Sequence, residues 1–187
     1  MNKLMLSAVF VSCLAGCNPV YENMAIDYKY TPQELAIIHL AFNEWEKATG
    51  SEEAHISHME NMFIDDNVFN DDDFHSNFGM AVMHKVSRSD PGFSLLVDEF
   101  DNKVAGVGRE GEMIITVTES YTRSDGSLKE DWLKTILIHE LGHFYGLDHG
   151  DGLLMVPAGA PNCIDQLTVD SYCEEHGDCV NPRNSCD

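Results

Sequence analysis

Residues His139 to His149 read His-Glu-Leu-Gly-His-Phe-Tyr-Gly-Leu-Asp-His and hold three imidazoles, one carboxylate and one glycine at a spacing that can do metal chemistry. On a helix, His139 and His143 stand one turn apart on the same face, with Cβ atoms about 6 Å apart. Two neutral imidazole nitrogens from that face can meet one Zn²⁺ at about 2.0–2.1 Å. Glu140 follows the first ligand and cannot share its direction, so it is free to face a water in the metal's open position. Gly146 comes three residues after His143, where helices often end in a left-handed residue that glycine adopts cheaply. The chain can then turn and bring back His149 as third ligand. Three protein ligands leave a fourth position for water, the arrangement of a hydrolytic site and not of a closed structural one. The plain alternative is an amphipathic core helix that carries histidines by chance, and the five matching positions weigh against it.

The extended pattern H-E-x-x-H-x-x-G-x-x-H resembles the zinc-binding helix of the metzincins. Within that clan the chain looks most like the matrixins, because Leu154-Met155-Val156-Pro157 matches their Leu-Met-Tyr-Pro element at three of four positions. The resemblance implies that Met155 is the Met-turn residue, giving apolar support beneath the ligands. It also implies that Pro157, Ala158 and Gly159 form the wall of the first primed-side pocket. Two departures stand out: Val156 replaces the tyrosine, excluding a tyrosine ligand there, and the loop between His149 and Met155 holds only five residues, short for the family, with Gly150 in place of the serine usual in matrixins. The implied chemistry is peptide-bond hydrolysis with one catalytic Zn²⁺ held by His139, His143 and His149 and with Glu140 as general base. The contrasting reading is a zinc-stabilised binding or adhesion module without turnover. Degenerate metalloproteases commonly lose the glutamate or a ligand, and all four residues are present here.

The amino terminus describes export. Lys3 gives a weak positive start, Leu4 to Val11 an apolar run, and Leu14-Ala15-Gly16-Cys17 a small-residue cleavage site ending in cysteine. That tetrapeptide resembles a bacterial lipobox, with Cys17 acylated after removal of residues 1–16. A plain secretory signal is the simpler alternative. Lipid on Cys17 would anchor the protein to a membrane without crossing it. Asn18, by resemblance to Gram-negative lipoproteins, points to the outer membrane of the cell envelope. Residues 17–30 read as a tether with no room for a propeptide domain or a cysteine switch. Residues 31–187 read as one catalytic domain, split into an upper part, 31–149, and a lower part, 150–187. Activity without proteolytic activation is expected.

Four of the six cysteines, Cys163, Cys173, Cys179 and Cys186, crowd the carboxy-terminal tail. In an exported chain they imply two disulfides, in any of three connectivities, stapling a segment poor in large apolar residues. A second zinc site from these thiols and His176 is the competing reading. The chain carries 32 Asp and Glu against 11 Lys and Arg, which argues against nucleic-acid binding because phosphate needs the opposite charge. The partner expected is a protein or peptide substrate, and no pattern specifies an oligomeric state.

The elements that must position the site follow from periodicity. Thr31-Pro32-Gln33-Glu34 is a capping box with proline at the first helical position. Leu35, Ile38, Phe42 and Trp45 recur at helical spacing to Gly50, predicting a helix of roughly eighteen residues. His39 lies at the edge of its apolar stripe as a structural histidine. Strands are expected over 79–87, 93–97 and 113–118, and the resemblance to the matrixins implies that the stretch Val104 to Val117 covers the strands running into the substrate cleft. Gly106, Gly108 and Gly111 there suit bulges or turns. Ser127-Leu128-Lys129-Glu130 reads as a second capping box that opens the zinc-bearing helix, with Trp132, Leu133, Ile136 and Leu137 as packing residues. The acidic stretch Asp65 to Asp73 reads as a solvated loop. Matrixins bind calcium in the corresponding region, but this spacing is not that of an EF-hand and Ca²⁺ lacks support. His55, His58, His75 and His84 follow no ligand pattern. The fold class expected is α+β and metzincin-like, with a twisted, mostly parallel sheet, two long helices and a small disulfide-stapled carboxy-terminal subdomain.

Overall fold

The first long helix forms as its capping signals require. In the computed structural model, which describes residues 23–50, 57–58, 81–90, 93, 103–177 and 179–186, helix α1 spans Pro32–Thr49. The Thr31 hydroxyl accepts from the Glu34 N–H, and the Glu34 carboxylate accepts from the Thr31 N–H at 2.7 Å. Gly50 ends the helix with φ +66, its N–H returning to the Glu46 carbonyl. Ile38, Ala41, Phe42 and Trp45 face the core, and His39 is half-buried as expected.

The architecture is α+β with a mixed sheet in the order β2-β1-β3-β5-β4. Its strands are β1 (Asn23–Ile26), β2 (Ser57–His58), β3 (Ala81–Val86), β4 (Gly106–Arg109) and β5 (Met113–Val117). All neighbours run parallel except β4, which pairs antiparallel with β5 through Val107↔Ile115 and Gly108↔Ile114 and forms one edge. A short helix, α2 (Thr118–Tyr121), leads from β5 toward α3 (Glu130–Phe144), and α4 (Gln166–His176) follows. Both long helices, α1 and α3, bury their apolar faces in one core with Met24, Met83 and Ile114 of the sheet. The opposite face of the sheet holds a smaller cluster of Val86, Phe93, Val107, Ile115 and Val117. The Trp45 indole N–H donates to the Ile138 carbonyl at 3.0 Å and so fastens α1 to the middle of α3.

Several expectations need correction. Residues 23–30 are not tether: β1 lies between β2 and β3, Met24 and Tyr30 are buried, and the Tyr30 hydroxyl donates to the His84 carbonyl at 2.8 Å. Four residues are too few to show strand alternation. The box at Ser127 does not cap α3. Lys129 occupies the N-cap position without a side-chain cap, because Ser127 is engaged in a turn with Arg123 and Asp125 and Leu128 bridges Thr122. Phe93, the one described residue of the strand expected over 93–97, is helical, with its N–H on the Asp90 carbonyl. The signal segment, Cys17, the acidic stretch 65–73, His55 and His75 lie outside the described residues.

The tail carries two disulfides, Cys163–Cys186 and Cys173–Cys179. This selects one of the three connectivities and leaves no thiols for a second metal site. His176 instead donates from Nε2 to the Tyr145 carbonyl at 2.7 Å.

Candidate metal centre

Helix α3 carries His139 and His143 on one face, and its ending returns the third histidine. The Gly146 N–H bonds the His143 carbonyl at 3.0 Å and the Leu147 N–H bonds the Gly142 carbonyl at 3.0 Å. That pair is a Schellman ending, which places its glycine left-handed, and Gly146 has φ +89. The chain reverses there and brings His149 back to the helix. Nitrogens of His139, His143 and His149 all lie within 4.8 Å of one another. The Nε2 atoms of His143 and His149 are 3.1 Å apart.

Two of the imidazoles are locked from behind. His139 Nδ1 is 2.7 Å from the Leu154 carbonyl, and His143 Nδ1 is 2.7 Å from the Leu147 carbonyl. A carbonyl has no proton to give, so each Nδ1 donates and each Nε2 is left with its lone pair facing the cluster. Burial pushes the His139 imidazole down to about 4 and also lowers His143, so both stay neutral at pH 7. Neutral nitrogen donors converging at this distance can hold a metal ion, and an all-imidazole set suits a borderline cation such as zinc. Among the described residues this is the one group of three or more such side chains placed for a metal.

Glu140 is 7% exposed, and burial raises its carboxyl from the ordinary range to about 8, opposed by a hydrogen bond from the Gly108 backbone. A carboxyl so placed can take and release a proton near neutral pH. It lies against β4 because that strand turns the glycines Gly106 and Gly108 toward α3. A Cβ on Gly106 would sit 2.7 Å from Glu140 Oε1, and one on Gly108 would sit 2.2 Å from the Glu140 carbonyl oxygen. These glycines permit close approach of strand to helix, a role more specific than the bulge or turn expected of them. Gly111 does occupy a turn, with φ +63.

Met155 is wholly buried against the helix that carries His139 and His143. A Cβ on Gly142, the residue before His143, would stand 2.4 Å from its sulfur, so this helix glycine makes the room that the thioether fills. Pro157, Ala158 and Gly159 line a cavity of about 680 Å³ together with Val104 to Gly108, the three histidines, Glu140, Ile136 and Trp132. Glu140 is the one carboxylate among the lining residues. Trp132 is 44% exposed at this cavity and is not the packing residue its spacing implied. His84 stands apart from the centre, buried in β3 with Nδ1 3.7 Å from the Asp27 carboxylate.

Sequence reasoning missed Asp165, which caps α4 and accepts the Leu154 N–H at 2.8 Å. An aspartate before a helical run was the available signal. Comparison with protein-family models, curated proteins and solved structures finds no match for this chain, so its functional reading rests on the site's own residues.

Proposed function

We propose that this chain is a zinc-dependent endopeptidase of metzincin type, most like the matrixins, anchored in a bacterial envelope by lipid on Cys17. The observation that carries the reading is the convergence of His139, His143 and His149 beside buried Glu140, in a cleft bordered by β4, the last strand of the sheet among the described residues. Zinc, when bound, supplies the Lewis acidity that activates water and polarises the scissile carbonyl. Glu140 accepts the proton of the attacking water on its carboxylate and passes it to the leaving amine nitrogen. Burial raises its affinity for a proton in the metal-free protein, and a zinc ion beside it would favour the carboxylate form that accepts.

Strand β4 orients the substrate. An extended peptide laid along this edge would gain main-chain hydrogen bonds that ask little of its sequence. Selectivity then comes from the cavity, whose wall of Val156, Pro157, Ala158, Gly159 and Ala160 faces Ile136 and Trp132 and favours a large apolar side chain. The anchor rests on the Leu14-Ala15-Gly16-Cys17 lipobox and Asn18, which favour the outer membrane. No described helix is long and apolar enough to cross a membrane.

The test is a peptide library incubated with the exported protein and read by mass spectrometry. Cuts preceding large apolar residues are expected. Cleavage with no preference beside the bond would remove the pocket from the account, and no cleavage by the zinc-loaded protein would favour a binding role.

A further inference from the structure

We infer that Asp165 is a positioning residue for the metal ligand His139, held in that role by the disulfide-stapled tail. The inference rests on the metal-centre part of the proposed function and not on peptidase activity.

A ligating imidazole is aimed by whatever its far nitrogen bonds. For His143 that group is the Leu147 carbonyl, part of the hydrogen-bonded ending of the same helix. His139 differs, because its partner carbonyl on Leu154 belongs to an irregular loop that the helix does not fix. Leu154 is gripped from its other side. Its N–H donates to Asp165 Oδ2 at 2.8 Å, and its side chain is fully buried.

The carboxylate divides its work between two oxygens. Oδ1 caps α4 by accepting from the Leu167 and Thr168 N–H groups at 3.1 and 3.2 Å. Oδ2 takes Leu154 and the Thr168 hydroxyl, the latter at 2.6 Å. Loop and helix touch directly, since a Cβ on Gly152 would fall 1.9 Å from the Thr168 hydroxyl oxygen.

Asp165 is itself held. The neighbouring Ile164 exchanges hydrogen bonds with Ser185, its N–H donating to the Ser185 hydroxyl and its carbonyl accepting the Ser185 N–H, both at 2.8 Å. The Cys163–Cys186 disulfide ties the same two segments. The Ser185 hydroxyl donates to Glu44 of α1, and Glu44 pairs with Lys134 of α3. A continuous path therefore runs from the tail through Asp165 and Leu154 to His139.

The experiment measures zinc affinity of the exported chain by competition with a chromophoric chelator, alongside urea unfolding of each metal-free protein. Asp165→Asn and Asp165→Ser both keep an N-cap acceptor but cannot also offer a second carboxylate oxygen to Leu154. Each is expected to weaken zinc binding about tenfold or more while the metal-free protein stays folded. The paired change Cys163→Ser with Cys186→Ser is expected to weaken zinc in the same direction. Gln166→Ala changes an exposed side chain that bonds Asp170 and not Leu154, and it is expected to bind zinc as the parent does. Parent-like affinity in both Asp165 variants, or affinity lost only in step with the metal-free fold, overturns the inference. A parent protein that binds no zinc overturns the metal centre itself, and this inference with it.

Discussion

Replacing Glu140 by glutamine should stabilise the metal-free protein, and by an amount that grows with pH. The side chain keeps its shape and can still accept from the Gly108 backbone, but it no longer titrates. In the native protein burial raises this carboxyl from 4.5 to about 8, so the folded chain holds a proton that the unfolded chain has already released. Between those two values unfolding releases a proton, and stability therefore falls as pH rises. At 1.36 kcal/mol per pH unit, the cost is about 1.4 kcal/mol at pH 5.5 and about 4 kcal/mol at pH 8. Glu140→Gln escapes it. The stability gap between variant and parent should widen by about 3 kcal/mol over that range. Urea unfolding of both metal-free proteins at the two pH values measures the gap, and the other titrating groups largely cancel in the comparison. Saturating zinc should narrow it, because a nearby cation favours the carboxylate. A gap independent of pH would refute the reasoning, since it would mean that Glu140 is already ionised in the native protein.

Three further outcomes follow from the same geometry. Gly108→Ala forces a methyl group to within 2.2 Å of the Glu140 carbonyl oxygen and 2.8 Å of His143 Cβ; the protein should lose about 1–3 kcal/mol in denaturant unfolding as β4 moves off α3. Trp132→Ala opens the cavity mouth without removing a buried side chain, so peptide profiling should show a broadened residue preference while the unfolding midpoint changes little. Removing Cys163–Cys186, which closes a separation of 23 residues, should cost about 3 kcal/mol, and removing Cys173–Cys179, with a separation of 6, about 2 kcal/mol. Unfolding of the two paired Cys→Ser proteins checks that order.

The ligand cluster was legible because it is local. His139, His143, Gly146 and His149 are set by helical spacing and one helix ending, so eleven consecutive residues carry nearly all the information. Helix α1 was legible for a similar reason, having a complete box at Thr31–Glu34 and a glycine stop at Gly50. What escaped depends on contacts between distant segments. Trp132 shares the spacing of Leu133 and Ile136, and periodicity cannot say whether a stripe's edge meets the core or an open cleft. Ser127 looked like a cap until the Thr122–Leu128 bridge engaged the residues around it. Strand β1 is too short to alternate, and its place comes from pairing with Ala81–Met83 far along the chain. Gly106 and Gly108 announced an unusual backbone, but only packing shows that the reason is the approach of Glu140 and His143. Asp165 went unread, and no local pattern could show that its second oxygen serves a loop eleven residues earlier.

The most direct test of the central claim is a zinc titration of peptide cleavage by the chelator-stripped protein, with Glu140→Ala treated in parallel. Cleavage should be absent without metal, rise with zinc and saturate at one equivalent per chain. The Glu140→Ala protein should bind that same equivalent and stay inert. Cleavage that persists after metal removal, or that survives loss of Glu140, would contradict the account.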